Sequence, residues 1–258
     1  MAITVMSGLG TIVKAEDGVQ THPLVVAATP TLKAAFHEIV PMFEREYGAS
    51  VHVVYGASQT LRRQIEKGAP IDVFLPGSAE DLIKLQKKGL TINGGPRIYA
   101  ETSLVLVTSA SSRALSISLR DVLPNTGTRI ALGDPSVSAL GAITARAFAK
   151  LDPAYKSRFN VHYAQHSEDI VNLVHSGEVD LGIVYRTDAI TNGQLRIMDE
   201  APVGAHMPVQ FGEAVVWTCR NESLKLAEEF YDFIASPRIQ KLLLKYGFDP
   251  VTLNAAQG

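Results

Sequence analysis

Residues 23–48 read PLVVAATPTLKAAFHEIVPMFEREYG and change rhythm midway. PLVVAAT is a short apolar, β-prone run without alternation, as in a strand covered on both faces of a parallel sheet. After it, Leu32, Phe36, Ile39, Val40 and Phe43 recur at helical spacing and form one apolar stripe that ends near Gly48. Pro41 lies inside that stripe and removes one backbone donor, which predicts a kink. The same pairing repeats downstream. VHVVYG (51–56) precedes TLRRQIEKG, and IDVFLPG (71–77) precedes SAEDLIKLQKKG. Strand–helix alternation with right-handed crossovers predicts an open parallel sheet.

The turn cluster Asn93-Gly94-Gly95-Pro96 interrupts this rhythm within residues 90–102. SLVLVTS (103–109) then opens a second series. It comprises TRIALGDP (128–135), a helix from about Gly141 to Leu151, NVHYAQ (160–165), a helix around 168–176, and LGIVYRT (181–187). A strand-rich stretch, MPVQFGEAVVW (207–217), leads to two closing helices near 222–235 and 237–246. Two α/β series joined near 103–109 and 207–217 predict two lobes, two crossings and a cleft. The expected division is 23–103 plus 212–250 for lobe one and 104–211 for lobe two, with 251–258 as a tail.

Composition narrows the function. The chain has 258 residues, 46% of them apolar, and a formal net charge of −2. That content excludes a disordered chain, and the length supports one large or two small domains. With 24 Lys+Arg against 26 Asp+Glu and no basic run, a nucleic-acid partner has no electrostatic basis. The lone Cys219 excludes an intrachain disulfide framework and a multi-cysteine zinc site. Residues 1–22 carry neither a basic n-region nor a long apolar h-region, so as written they are no secretory signal. TIVKA before EDGVQ looks like the small-residue end of a cleavable signal whose front lies upstream. A disordered extension is the other reading.

Enzyme signatures are missing. There is no P-loop, no GxGxxG and no GxSxG elbow. His37-Glu38 begins like a zincin helix but lacks the second histidine. His162 and His166 read as polar surface residues, Cys219 as a small core residue, and Glu228-Glu229 as a solvated face. Small hydroxyl residues carry more information. Thr29-Pro30-Thr31, Gly56-Ala57-Ser58, the run Gly133 to Gly141, and Ser167-Glu168-Asp169-Ile170 each follow a strand and open a helix. Singly each is an ordinary helix cap. Together they place four helix N-termini at the carboxyl edge of parallel strands, where open α/β sheets bind ligands. Such termini hold anions through unpaired N–H groups. Hydroxyls of Thr31, Ser58 or Tyr185 would add neutral donors. Neutral donors suit a fully ionised tetrahedral dianion, whereas a protonated phosphate would need an acceptor for its proton.

The segments ATPTLKAAF, YGASQTLRRQIEKGAPIDVFLPGS, IALGDPSVSALG, SEDIVNLV, LGIVYRTDA and FYDFIASPRIQKLLLKYGF resemble the periplasmic molybdate-binding proteins of ABC transporters, from about residue 23 to 248. The resemblance implies an α/β, bilobal periplasmic-binding-protein fold of type II-like form, with no catalysis and no cofactor. It implies capture of molybdate or tungstate as an oxyanion, without direct metal ligands, by an extracytoplasmic monomer that serves an ABC permease. Position by position, the family's two binding serines fall on Thr31 and Ser58. Its backbone donors fall on Leu140 and Ile170, and its tyrosine on Tyr185. Departures at Pro30, Ala57 and Gln59 leave open which tetrahedral anion is preferred. Alternatives are sulfate, phosphate or a small carboxylate on the same fold. A carboxylate would call for a bidentate arginine, with Arg62 and Arg63 the nearest candidates. An enzyme or an intracellular sensor domain stands further off.

Overall fold

The computed structural model describes residues 22–92, 95–113, 118, 127–151, 154, 160–200 and 208–251. Apart from His22 and Val251, the expected N-terminal extension and C-terminal tail lie outside them. β1 (Leu24–Ala28) pairs in parallel with β2 (Val51–Tyr55) and with β3 (Val73–Leu75). Each is followed by a helix: α1 (Lys33–Tyr47), α2 (Ser58–Glu66) and α3 (Ala79–Lys87). The sheet continues through β10 (Val209–Val215) to β4 (Arg97–Thr102), in the order β2-β1-β3-β10-β4.

Side-chain alternation in β1 explains its unbroken apolar run. Leu24, Val26 and Ala28 join Phe36, Ile39 and Phe43 of α1, while Ala27 joins Leu61 and Ile65 of α2 on the opposite face. Both faces are covered, so no polar residue has a place in the strand. The chain returns to this lobe at its end through α7 (Leu224–Ile234) and α8 (Pro237–Lys245). Phe43 meets Phe230 edge-on at 5.0 Å and Phe233 at 5.3 Å. Burial of each such ring contributes about 1.5–3 kcal/mol, which ties the last helices to the first. Pro41 sits inside α1 without ending it; the helix runs on to Tyr47.

The second sheet has the order β7-β6-β8-β5-β9. Its strands are β5 (Leu104–Ser109), β6 (Arg129–Gly133), β7 (Asn160–Ala164), β8 (Leu181–Tyr185) and β9 (Leu195–Glu200). The helices α4 (Ala139–Leu151), α5 (Ser167–Ser176) and α6 (Arg186–Thr191) follow β6, β7 and β8. Among the described residues no helix is long and apolar enough to cross a membrane.

Three expectations need correction. The sheets are mixed rather than parallel, because β10 runs antiparallel to β3 and β4, and β5 antiparallel to β8 and β9. A strand that enters from the other lobe arrives without a crossover helix to turn it. β4, β9 and α6 were not foreseen, since their charged residues break the apolar pattern. The lobe boundary at 212 cuts a continuous strand: Val209, Gln210 and Phe211 already pair with Thr102, Glu101 and Ala100. The chain changes sheets at Ser103 and again between Glu200 and Val209.

Candidate anion-binding site

Thr31 lies in a single tight turn, Pro30–Leu32, between β1 and α1. The Thr29 N–H donates to the Leu75 carbonyl at 3.0 Å, which fixes the end of β1 against β3. Pro30 takes the first helical position, where its missing N–H costs nothing. Ser58 opens α2 and is buried, as is Tyr185 at the end of β8. Leu140 is the second residue of α4, where the helix supplies no partner for a backbone N–H. The approach of α4 to β6 depends on two glycines. A Cβ on Gly141 would lie 2.4 Å from the Gly133 carbonyl oxygen, and one on Gly133 would lie 2.6 Å from the Gly141 nitrogen. The spacing of GDPSVSALG thus lets a helix start press directly on a strand end.

Thr31, Ser58, Leu140 and Tyr185 line one cavity of about 20 Å³ between the lobes. Room on that scale admits a few-atom ion or a water or two, and no sugar or peptide. Thr29, Ser138, Gln165, His166 and Ser167 share the wall, and none of its residues is Lys, Arg, Asp or Glu. Ile170 is not on this wall. It is fully buried behind the first turn of α5, and its N–H points to the His166 carbonyl at 3.4 Å. Ser167, one turn earlier, faces the cavity in its place. His166 also belongs to the wall rather than to the outer surface, and its N–H donates to Asp169 Oδ2 at 3.1 Å.

The hydroxyls are held in specific directions. Ser58 Oγ accepts from the Gly77 N–H at 2.9 Å, which leaves its own proton free for the cavity. The Tyr185 hydroxyl donates to the Gly77 carbonyl at 2.8 Å. Burial, with the Asp188, Asp81 and Glu80 carboxylates adding to it, holds that phenol well above its ordinary pKa. Tyr185 therefore stays neutral, and its single proton can serve a ligand only by turning away from the Gly77 carbonyl. Thr31 Oγ1 lies 3.4 Å from Ser167 Oγ and donates to Asp188 Oδ2 at 3.3 Å. Thr29, Ser138, Ser167 and Gly77 were not among the five expected binding residues, although the quoted ATPTLKAAF, GDPSVSALG, SEDIVNLV and FLPGS segments contain all four.

Arg62 and Arg63 do not clamp the site. Arg62 pairs with Asp81 at 2.9 Å and with Glu66, and Arg63 donates to the Ser136 carbonyl. Among the described residues no three His, Cys, Asp or Glu side chains gather as a cation site requires. A larger opening of about 280 Å³ lies between α3 and α4, beside the Arg146–Glu80 ion pair, and contains none of the five expected residues.

The lobes meet directly. The Gln59 N–H donates to the Val137 carbonyl at 3.2 Å, and its side-chain amide to Pro135 at 3.1 Å. Lys33 and Glu168 pair at 2.5 Å across the cleft, with side chains 43% and 54% exposed. At that exposure the pair is worth about 0–1 kcal/mol. Closure thus rests on several weak contacts around a small polar void, an arrangement that a ligand bridging the lobes can stabilise.

Known proteins agree with this architecture. A Bacillus subtilis lipoprotein assigned to ABC-transporter substrate binding, YvgL, is 26% identical over 96% of this chain and 94% of its own. The molybdate-binding protein ModA of Escherichia coli is 28% identical over 87% of this chain and 88% of its own. The periplasmic molybdate-binding protein of Azotobacter vinelandii superposes with a TM-score of 0.75 at 20% identity, over 89% of this chain and 100% of that one. Solved structures of the same fold also include a sulfate-binding protein and an iron-bound one, so the fold alone does not select a ligand. The chain is ModA-like and belongs to the bacterial extracellular solute-binding proteins, whose family pattern it matches over residues 24–249.

Proposed function

We propose that this solute-binding protein of ABC transporters captures molybdate or tungstate between its lobes, outside the cytoplasm, and hands it to a permease. The observation that carries the reading is the cavity itself. It is small, it draws Thr31 and Ser58 from one lobe and Leu140 and Tyr185 from the other, and no Lys or Arg lines it. Hydroxyl and backbone N–H donors hold a dianion that has no proton to give, and they do not favour a cation. The molybdate-binding relatives support the choice within that class.

A thermal-shift panel of molybdate, tungstate, sulfate, phosphate and a small carboxylate tests it. A ligand at about 100 times its Kd adds roughly 2.7 kcal/mol to the native state. For a chain of this size that corresponds to about 5–10 °C. Molybdate and tungstate are expected to give such a shift at concentrations where phosphate and carboxylate give none. A larger shift with sulfate would reassign the ligand, and no shift with any anion would overturn the reading.

A further inference from the structure

Asp188 lies directly behind the cavity wall, in the first turn of α6, and its Oδ2 accepts from Thr31 Oγ1 at 3.3 Å. A threonine hydroxyl has one proton. While that proton goes to an ionised Asp188, Thr31 presents only lone pairs to the cavity, and lone pairs repel an anion. If Asp188 carries a proton, the carboxyl donates to Thr31 Oγ1 and the Thr31 proton turns toward the ligand. Ser167, 3.4 Å from Thr31 Oγ1, shares the same choice.

We propose that Asp188 is a positioning residue that sets the direction of the Thr31 hydrogen bond, so that the site takes up its dianion together with one proton from solvent. The inference rests on the oxyanion reading above. The proton ends on the Asp188 carboxyl, and the bound complex gains one negative charge rather than two.

The surroundings favour this. Burial raises the Asp188 carboxyl to about 7 against the Ser167 and Thr31 hydroxyls, whose hydrogen bonds lower it, and the nearby Glu168 carboxylate adds to the rise. From α1, Lys33 faces the same cleft, but its ammonium is paired with Glu168 of α5. From β8 comes Tyr185, held as a neutral phenol; β5 brings no titratable side chain; and β9 brings Glu200. Arg186 of α6 itself pairs with Glu200 at 3.4 Å and with Asp249 at 3.7 Å. Neither Lys33 nor Arg186 is an unpaired cation beside Asp188. His166 is the other titratable side chain on the cavity wall. Its protonation would favour an anion with the same sign, so it needs its own control.

The test measures molybdate affinity by calorimetry between about pH 6 and 9, in buffers of different ionisation heat. The wild type is expected to lose up to about tenfold in affinity per unit above pH 7, and to take up about half a proton on binding at pH 7 and close to one at about pH 8–9. Asp188→Asn, whose amide can donate to Thr31 at any pH, should flatten the profile and abolish proton uptake. His166→Gln should keep the slope. Wild-type binding without proton uptake or pH dependence overturns the proposal whether or not the variants fold. A slope retained in Asp188→Asn, or lost in His166→Gln, overturns it as well. No oxyanion binding at any pH would remove the functional reading and this inference together; pH-independent binding would remove this inference alone.

Discussion

The Tyr185 hydroxyl reaches across the cleft to the Gly77 carbonyl at 2.8 Å, and the N–H of Gly77 donates to Ser58 Oγ at 2.9 Å. One glycine residue thereby holds a hydroxyl from each lobe. The space around it is full: a Cβ on Gly77 would lie 3.1 Å from the Tyr185 hydroxyl and 3.2 Å from Thr29 Oγ1.

Removing either hydroxyl should be felt directly. Loss of a buried donor costs about 1–3 kcal/mol, or roughly 5–150-fold in affinity. Ser58→Ala and Tyr185→Phe are each expected to weaken molybdate binding within that range in calorimetry. Unchanged affinity in both would remove these residues from the site. Gly77→Ala should weaken binding too, by crowding the hydroxyls it now orients.

Thr31 separates hydroxyl chemistry from shape. Thr31→Ser keeps the proton that is shared between Asp188 and the cavity, and should bind molybdate much as the wild type does. Thr31→Val keeps the volume and loses the donor, so affinity should fall by about 1–3 kcal/mol. Equal affinities for the two variants would show that the hydroxyl takes no part.

Gly141 tests the placement of α4. A methyl group there meets the Gly133 carbonyl at 2.4 Å, so the helix start must retreat from β6. Overpacking of this kind typically costs about 1–3 kcal/mol. Gly141→Ala should lower the melting temperature and also weaken anion binding, because Leu140 moves with the helix. A variant with native affinity would argue against a Leu140 N–H contact.

Glu213 predicts a pH dependence of stability. Its side chain is fully buried, one carboxylate oxygen is 3.1 Å from Arg97 Nη2, and the other has no hydrogen-bond partner among the described residues. Burial raises its carboxyl well above the usual range, although Arg97 opposes the shift. The folded protein then holds a proton that the unfolded chain has already lost. Stability is therefore highest below the unfolded pKa and declines as pH rises through the folded one. Glu213→Gln should narrow the difference in melting temperature between about pH 5 and pH 8, with Asp188 supplying a remainder of the same sign. An undiminished difference would contradict this.

Sequence reading reached the two-lobed α/β plan because β1 and α1 carry their periodicity locally. Leu24, Val26 and Phe36 announce burial without reference to the rest of the chain. The hydroxyls of Thr31 and Ser58 were legible for a similar reason, since each sits at a strand-to-helix junction. β4 and β9 were not, because Arg97, Glu101, Arg196 and Glu200 interrupt the apolar run and only pairing with β10 and β5 makes them strands. Ile170 was assigned by resemblance alone, and the turn of α5 directs its N–H to His166. Contacts that exist only between lobes left no local trace: Gln59 on Val137, Tyr185 on Gly77, and Asp188 behind Thr31.

A crystal grown with molybdate, with molybdenum located by its anomalous scattering, tests the site most directly. The peak should lie between the lobes, placed so that the ion's oxygens come within hydrogen-bond reach of Ser58 Oγ, Thr31 Oγ1, the Leu140 N–H and the Tyr185 hydroxyl, with no guanidinium or ammonium group touching the ion. A peak held by arginine or lysine, or none beside Ser58 and Tyr185, would contradict it.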